Sequence, residues 1–418
     1  MKNDLELTDE RLRKQYEPEE LCMAGIALFL LKEGSRNAMN SDRKEKQFVE
    51  NYQMIFGLSL PHMDAVEDYF RVLPSHELEQ VKAKIISRLI RKKVFEAGKF
   101  RGHYIVAIDG TGLASFGQRH CDCCLKKTSK NGITTWFHNV LEAKLLTPSG
   151  LSLSIATEWI SNEGKEDYEK QDCEREAFKR LAVKIKKSFP CLPIVILADG
   201  LYPWQGFFDI CSQNNWKFIV TLKDGSLKSL QEDIYWYKKL LPKQSIDVAR
   251  KNKNTTVNIT YKWIRELQYH NHQLNFVECS ETSLAIKTGK TIQQKFVHLT
   301  NFEGIDKWCI AISDTGRLRQ KIENEGFNTQ KKHGYALEHK FSRISFTAMK
   351  NYYQCLQIAH IINQLVEASQ TMDTFLKKVL KCTVKHLWKR FLSFLLEAQI
   401  SESELAALIF KPFQIRLI

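Results

Sequence analysis

Tyr104-Ile105-Val106-Ala107-Ile108-Asp109-Gly110 sets an unbroken apolar run against a carboxylate and then a glycine, and Ile194-Val195-Ile196-Leu197-Ala198-Asp199-Gly200 does the same later in the chain. Short apolar runs that end in turn residues read as strands buried on both faces. An acid at the exit of such a strand carries an electrostatic penalty unless a cation offsets it, and a divalent metal shared by two acids is a common solution. A third acid, Glu323, lies in Lys321-Ile322-Glu323-Asn324-Glu325-Gly326-Phe327-Asn328. Together the three make an Asp, Asp, Glu set of the kind that binds two metal ions to cut and join nucleic acid strands. A lone Asp-Gly is ordinary turn chemistry; two in one sheet with a helical Glu favour a site. Dinucleotide binding is disfavoured, because the position for the third glycine after Gly110 and Gly112 is Ser115, and no Gly-Lys-Ser/Thr phosphate loop occurs.

Outward from these strands, the order is strand, strand, strand, helix, strand, helix, strand, over 104–108, 137–146, 151–158, 170–188, 194–198, 203–213 and 218–222. Pro148-Ser149-Gly150 supplies a turn pairing the second strand with the third. Three antiparallel strands followed by helix-crossed parallel ones make a mixed α/β sheet, the arrangement of ribonuclease H-like folds. The chain divides into a helical region, 1–98, that is a candidate for contacting DNA; the first part of a catalytic domain, 99–242; a β-rich insertion, 243–300; the second part of the catalytic domain with the Glu helix, 301–365; and a basic helical region, 366–418. In the first region Ser75 is placed to cap a helix from His76, with Lys82, Lys84, Arg88, Arg91, Lys92 and Lys93 as its solvated or DNA-facing side.

At 418 residues, 43% of them hydrophobic, the chain can bury a large core. Sixty-two Lys and Arg against 48 Asp and Glu leave a net charge of +14, which favours a polyanionic partner; nucleic acid and an anionic membrane surface compete on charge alone. The longest apolar run, from Leu21 to Leu31, is too short to cross a bilayer and follows an acidic leader, so it reads as a core helix. Eleven scattered cysteines fit a reducing cytoplasm better than a disulfide framework.

In the mixed sheet the first and fourth strands are neighbours ending at the same edge, so Asp109 and Asp199 can meet. Glu323 is expected on a helix from about Thr315 to Gln330, with Arg319 one turn earlier on the same face, suited to a phosphate. Oxygen ligands favour Mg²⁺, with Mn²⁺ as a substitute. Glu325 and Glu338 are the rivals for the third acid, ranked second and third. Trp204 and Lys223 follow the fourth and fifth strands on the edge where the acids emerge, where the Trp could stack on a base or pack in the core and the Lys could bind a phosphate or stay solvated. Arg250, Lys251 and Lys253 of the insertion form either a backbone-tracking patch or a solvated turn.

Ala107-Ile108-Asp109-Gly110-Thr111-Gly112, Leu197-Ala198-Asp199-Gly200-Leu201-Tyr202 and Ile322-Glu323-Asn324-Glu325-Gly326-Phe327-Asn328 together resemble bacterial transposases of the insertion-sequence-four DDE group, over roughly residues 100 to 365. The resemblance implies a ribonuclease H-like domain with a β insertion before the Glu, metal-dependent cleavage at transposon ends, and strand transfer into target DNA. Asp109, Asp199 and Glu323 would be the metal ligands. It further implies inverted-repeat and target DNA as partners, a homodimer in the DNA complex, no membrane, and a bacterial cytoplasmic, nucleoid-associated protein. Arg319 and Glu323 match the spacing of the group's Tyr, Arg, Glu, Lys signature; the Tyr position is Gly316 and the Lys position is Gln330, with Lys331 and Lys332 adjacent as candidate DNA contacts. The alternatives are a related metal nuclease without strand transfer, and an inactive DNA-binding relic of a transposase.

His120-Cys121-Asp122-Cys123-Cys124 contains Cys121-x-x-Cys124, the spacing of a zinc half-site. His138 on the second strand and Cys173 at the start of the helix after the third are the candidates for the other half, giving a possible Cys₃His structural Zn²⁺ site; a reduced, metal-free loop is the competing reading.

Overall fold

The computed structural model describes residues 7–11, 14–162, 171–241, 243–251, 255–285, 291–409 and 415–417. Five helices open the chain: α1 (Pro18–Leu30), α2 (Arg36–Asp42), α3 (Lys46–Phe56), α4 (Met63–Val72) and α5 (Ser75–Arg91). Their starts are written locally. Pro18 opens α1, where its missing N–H costs nothing and Glu17 and Glu20 form a reciprocal cap; the Ser35 hydroxyl accepts from the Ala38 amide at 3.1 Å to begin α2. The expected Ser75 cap is displaced by one residue: Pro74 holds the extended cap position, and Ser75 is already helical.

These helices gather around α11 (Phe346–Glu367), which is buried on nearly every side, and residues 21–29 of α1 are almost wholly core. Gly25 permits the close approach, since a Cβ there would come within 2.7 Å of the Phe70 ring and 3.1 Å of the Cys355 sulfur. Among the described residues, no helix is long and apolar enough to cross a membrane, and all eleven cysteines are free thiols.

The protein is a mixed α/β structure built on one open sheet. Its strands are β1 (Tyr104–Phe116), β2 (Leu125–Thr128), β3 (Thr134–Leu146), β4 (Ser152–Ile160), β5 (Ile194–Ala198), β6 (Lys217–Thr221), β7 (Ser245–Lys251), β8 (Thr255–Tyr269), β9 (His272–Ala285) and β10 (Thr291–Thr300). Helices α6 (Glu174–Ser188) and α7 (Gln205–Gln213) make the crossovers into β5 and β6, and α8 (Lys228–Leu240) follows. The sheet order is β2-β3-β1-β5-β6-β10-β9-β8-β7, with β4 also on β3. β1 runs antiparallel to β3 and parallel to β5, β3 is antiparallel to β4, and β5 is parallel to β6. Residues 243–300 contribute four strands that do not stand apart, because β10 pairs antiparallel with β6 and so extends the same sheet. Two features differ from the sequence expectation. β1 continues eight residues past 108, and β2 is an added strand; the Gly110-Thr111-Gly112 segment reads as a turn locally but is held straight by pairing with β3.

Both sheet faces are covered, as the apolar runs require. Ile105, Ala107, Val195 and Leu197 enter one core with α1, α4 and α11, while Val106, Ile108, Ile194 and Ile196 enter another with α6 and α7. Asp109 and Asp199 continue the first set by their period of two, and so face the side that receives the helices after β10. There α9 (Ile305–Arg317) leads through a π-helical stretch, Ile322–Asn328, into α10 (Thr329–Lys332). The C-terminal region comprises α12 (Gln370–Thr374), a second π-helical stretch at Phe375–Leu380, α13 (Val384–Glu397) and α14 (Glu402–Ile409).

A buried polar network joins the helices to the sheet. Lys82, expected on a solvated face, is fully buried: its ammonium donates to Thr157 Oγ1 at 2.5 Å, which donates to Glu142 at 2.5 Å, while Ser154 donates to the other Glu142 oxygen. Pairing of α5 against β4 brings this lysine inside, and the buried carboxylate supplies the compensating charge. Gln330, at the expected lysine position, is likewise interior and bonds Gln357 and His360 of α11.

Candidate active site

β1 and β5 are hydrogen-bonded neighbours through Ala107 and Leu197, so the residues that follow, Asp109 and Asp199, leave the sheet side by side. Each carboxylate is held twice. Asp109 Oδ1 accepts from the Gly110 amide at 3.0 Å and Oδ2 from Arg319 Nη1 at 3.1 Å. Asp199 Oδ1 accepts from the Leu201 amide at 2.8 Å and Oδ2 from Lys223 Nζ at 2.8 Å. Burial pushes the Asp109 carboxyl up to about 6 against the pull of Arg319, and the charges of Glu323 and Asp199 add to the rise.

The glycines after the acids have a steric reason. A Cβ on Gly110 would lie 2.6 Å from Glu174 Oε1, and one on Gly200 would lie 2.2 Å from Lys223 Cγ. Each glycine therefore leaves room for a charged side chain to cross the strand exit. Glu174, the first residue of α6, is a fourth acid of this cluster that the sequence reading missed. Burial raises its pKa, Asp109 and Asp199 raise it further, and its Oε2 accepts from the Tyr202 hydroxyl at 3.4 Å.

Arg319 and Glu323 do not share one regular helix as expected. α9 ends at Arg317, and Glu323 sits in the π-helical stretch, exposed, while Arg319 reaches Asp109 from the turn between them. π-Helical turns widen the helix locally and recur at functional sites. The two rival acids are engaged elsewhere: Glu325 pairs with Lys321 at 3.0 Å and Glu338 with Lys331 at 2.9 Å. Lys332 is exposed on α10. Gly316, at the expected tyrosine position, is packed so closely against His298 that a Cβ would lie 2.6 Å from its Nε2.

Trp204 is not splayed open. Its ring covers Gly206, its indole nitrogen is buried, and Arg175 and Lys179 lie over it at 5.9 and 5.6 Å. Arg250 lies 3.8 Å from Asp314, Lys251 ends β7 exposed, and Lys253 lies outside the described residues. On the far flank of α5, Lys84, Arg88 and Arg91 line a groove with Lys184 and Lys187 of α6.

A second cluster sits beyond the end of β1. His120, Cys121 and Cys124 of the β1–β2 connection meet His138 of β3, with one ligand atom from each within 4.8 Å of the others. Cys173 of the expected set is not among them; it forms the N-cap of α6, and His120 stands in its place. Among the described residues this is the one group of three or more His, Cys, Asp or Glu drawn together so tightly, and the Asp109, Asp199, Glu323 set is held more openly.

No family model matches the chain, and no curated protein matches it in sequence.

Proposed function

We propose that this protein is a DDE-type DNA transposase, cleaving transposon ends and joining them to target DNA from a ribonuclease H-like core. The observation that carries the reading is the convergence on one sheet edge of Asp109 and Asp199, with Arg319 crossing from the Glu323 segment to bind Asp109. The order β4-β3-β1-β5-β6, antiparallel in its first three strands and parallel in its last three, supports the core assignment. The net charge of +14 and the groove of Lys84, Arg88, Arg91, Lys184 and Lys187 support a DNA partner, since cationic side chains along a groove neutralise backbone phosphates.

The donor set fits a hard divalent cation: Asp109, Asp199 and Glu323 offer only oxygens, and the first two leave neighbouring strands side by side, each paired with a cation, Arg319 or Lys223. Mg²⁺, with Mn²⁺ as substitute, would there activate a water or 3′-hydroxyl and stabilise the departing oxygen. Arg319 holds Asp109 toward its ionised form and keeps further N–H donors for a phosphate. Lys223, half exposed beside Asp199, is a second cation at the strand exits. Glu174 adds a fourth carboxyl beside Asp109 at the Gly110 exit, its pKa raised by burial and by the charges of Asp109 and Asp199. A homodimer on paired ends would bring two such sites to one DNA complex.

The test is a supercoiled plasmid carrying the gene with its flanking DNA, incubated with the full chain and Mg²⁺. Nicking at the flanking ends together with joined products, both lost in Asp109→Asn, is the expected result. Nicking without joining would reduce the assignment to a nuclease, and binding without any cleavage would make the chain a DNA-binding relic.

A further inference from the structure

We propose that His120, Cys121, Cys124 and His138 bind one structural Zn²⁺, at a site separate from the acids. The Cys121 and Cys124 sulfurs are 3.7 Å apart, and His138 Nε2 lies 3.5 Å from the first and 3.4 Å from the second. Zn–S bonds of about 2.3 Å and Zn–N bonds of about 2.0 Å in a tetrahedron give edges of roughly 3.8 Å between sulfurs and roughly 3.5 Å from sulfur to nitrogen. Three observed separations match the edges of that polyhedron. A disulfide does not account for them, because its sulfurs would be bonded at about 2.05 Å.

His120 supplies the fourth vertex. Its Nε2 is occupied, donating to the Arg343 carbonyl at 2.7 Å, while its Nδ1 is buried without a hydrogen-bond partner. A metal-bound imidazole commonly donates its other N–H to a carbonyl, which fixes the ring and its tautomer. Hydrogen bonding alone leaves the cluster unsatisfied: His138 Nε2 has one lone pair for two thiols, and His120 Nδ1 has none to receive. The ring planes are already locked, His120 stacked on Phe116 at 4.3 Å and His138 on Phe346 at 4.1 Å.

Four protein ligands with no open position define a structural site rather than a catalytic one. The ion would pin the β1–β2 connection to β3, where His138 pairs with Ala114, and through His120 to the segment that leads into α11. The zinc site is independent of the transposase reading and survives its failure.

The test uses the full chain purified without added chelator, with metal content read by mass spectrometry and the ion then exchanged for Co²⁺. Expected are about one zinc per chain and a cobalt spectrum combining thiolate charge-transfer bands with strong tetrahedral d–d bands. Cys121→Ser and His120→Ala should lose the metal, and Cys173→Ser should keep it. A wild-type chain without stoichiometric zinc that also fails to take up Co²⁺, an octahedral cobalt spectrum, or a Cys173→Ser variant as depleted as Cys121→Ser would each overturn the proposal. The wild-type content and spectrum decide even where a variant does not fold.

Discussion

Two clusters of side chains of metal-ligating type flank the β1–β3 pair, and they are built in opposite ways. At Asp109 the ligands are charged oxygens, kept apart and satisfied by Arg319 and Lys223. Around Ala114 they are neutral sulfur and nitrogen, already at tetrahedral spacing and sealed by aromatic rings. The difference follows from charge. Neighbouring carboxylates repel and rise in pKa unless cations intervene, whereas thiols and neutral imidazoles can be packed together before any ion arrives. An open, cation-braced cluster suits a metal that must also meet a substrate; a closed one suits a metal that holds a loop.

The largest effect expected is on chemistry. Asp109→Asn, Asp199→Asn and Glu323→Gln should each lower Mg²⁺-dependent strand cleavage by roughly a thousandfold, about 4 kcal/mol of transition-state stabilisation. None should change the zinc content. Loss of zinc together with cleavage in these variants would dissolve the distinction between the clusters.

Next in size is stability. Cys121→Ser should destabilise the chain by about 4 kcal/mol, the scale of losing a structural metal, while Cys173→Ser stays near wild type in denaturant titrations. Equal melting of the two would break the comparison from the other side.

A smaller effect has the opposite sign. The folded Asp109 carboxyl holds its proton up to about 6 rather than the ordinary 3.8, so stability associated with it is fullest below 3.8 and is lost as pH rises through about 6. Without divalent metal at neutral pH, Asp109→Asn should therefore be more stable than wild type by about 1 to 2 kcal/mol, the burial cost less the lost Arg319 pairing. Destabilisation by that substitution would show the carboxylate to be a structural anchor. The same titration predicts that Mg²⁺ affinity rises as pH increases through about 6, because the metal must displace the proton from Asp109; an affinity flat across that range would count against Asp109 as a ligand.

Much of this arrangement is readable in the residues, and the unreadable parts have physical causes. Five-residue apolar runs ending in Asp-Gly mark β1 and β5, and the crossover order makes them neighbours. Arg319 is recognisable by its spacing from Glu323, but the π-helical stretch that carries the Glu, with Ile322, Gly326 and Phe327 buried, has no local signature. Glu174 gives no sequence signal, since only the docking of α6 brings its first turn onto Gly110. Cys121-x-x-Cys124 announces half a metal site. The rest of that cluster depends on the β1–β3 register, which sets His138 opposite Ala114, and on a loop that folds His120 back, whereas Cys173, the expected third cysteine, is a helix cap. Lys82 looks solvated on its helix and is buried because β4 presents Thr157 and Glu142 is at hand.

The most direct measurement is a Mn²⁺ titration of the zinc-loaded full chain with flanking-end duplex, followed by electron paramagnetic resonance. The account predicts bound Mn²⁺ that disappears in the Asp109→Asn, Asp199→Asn double variant while zinc content and DNA binding persist. Mn²⁺ uptake unchanged by that double substitution, or absent from the wild-type complex, would contradict it.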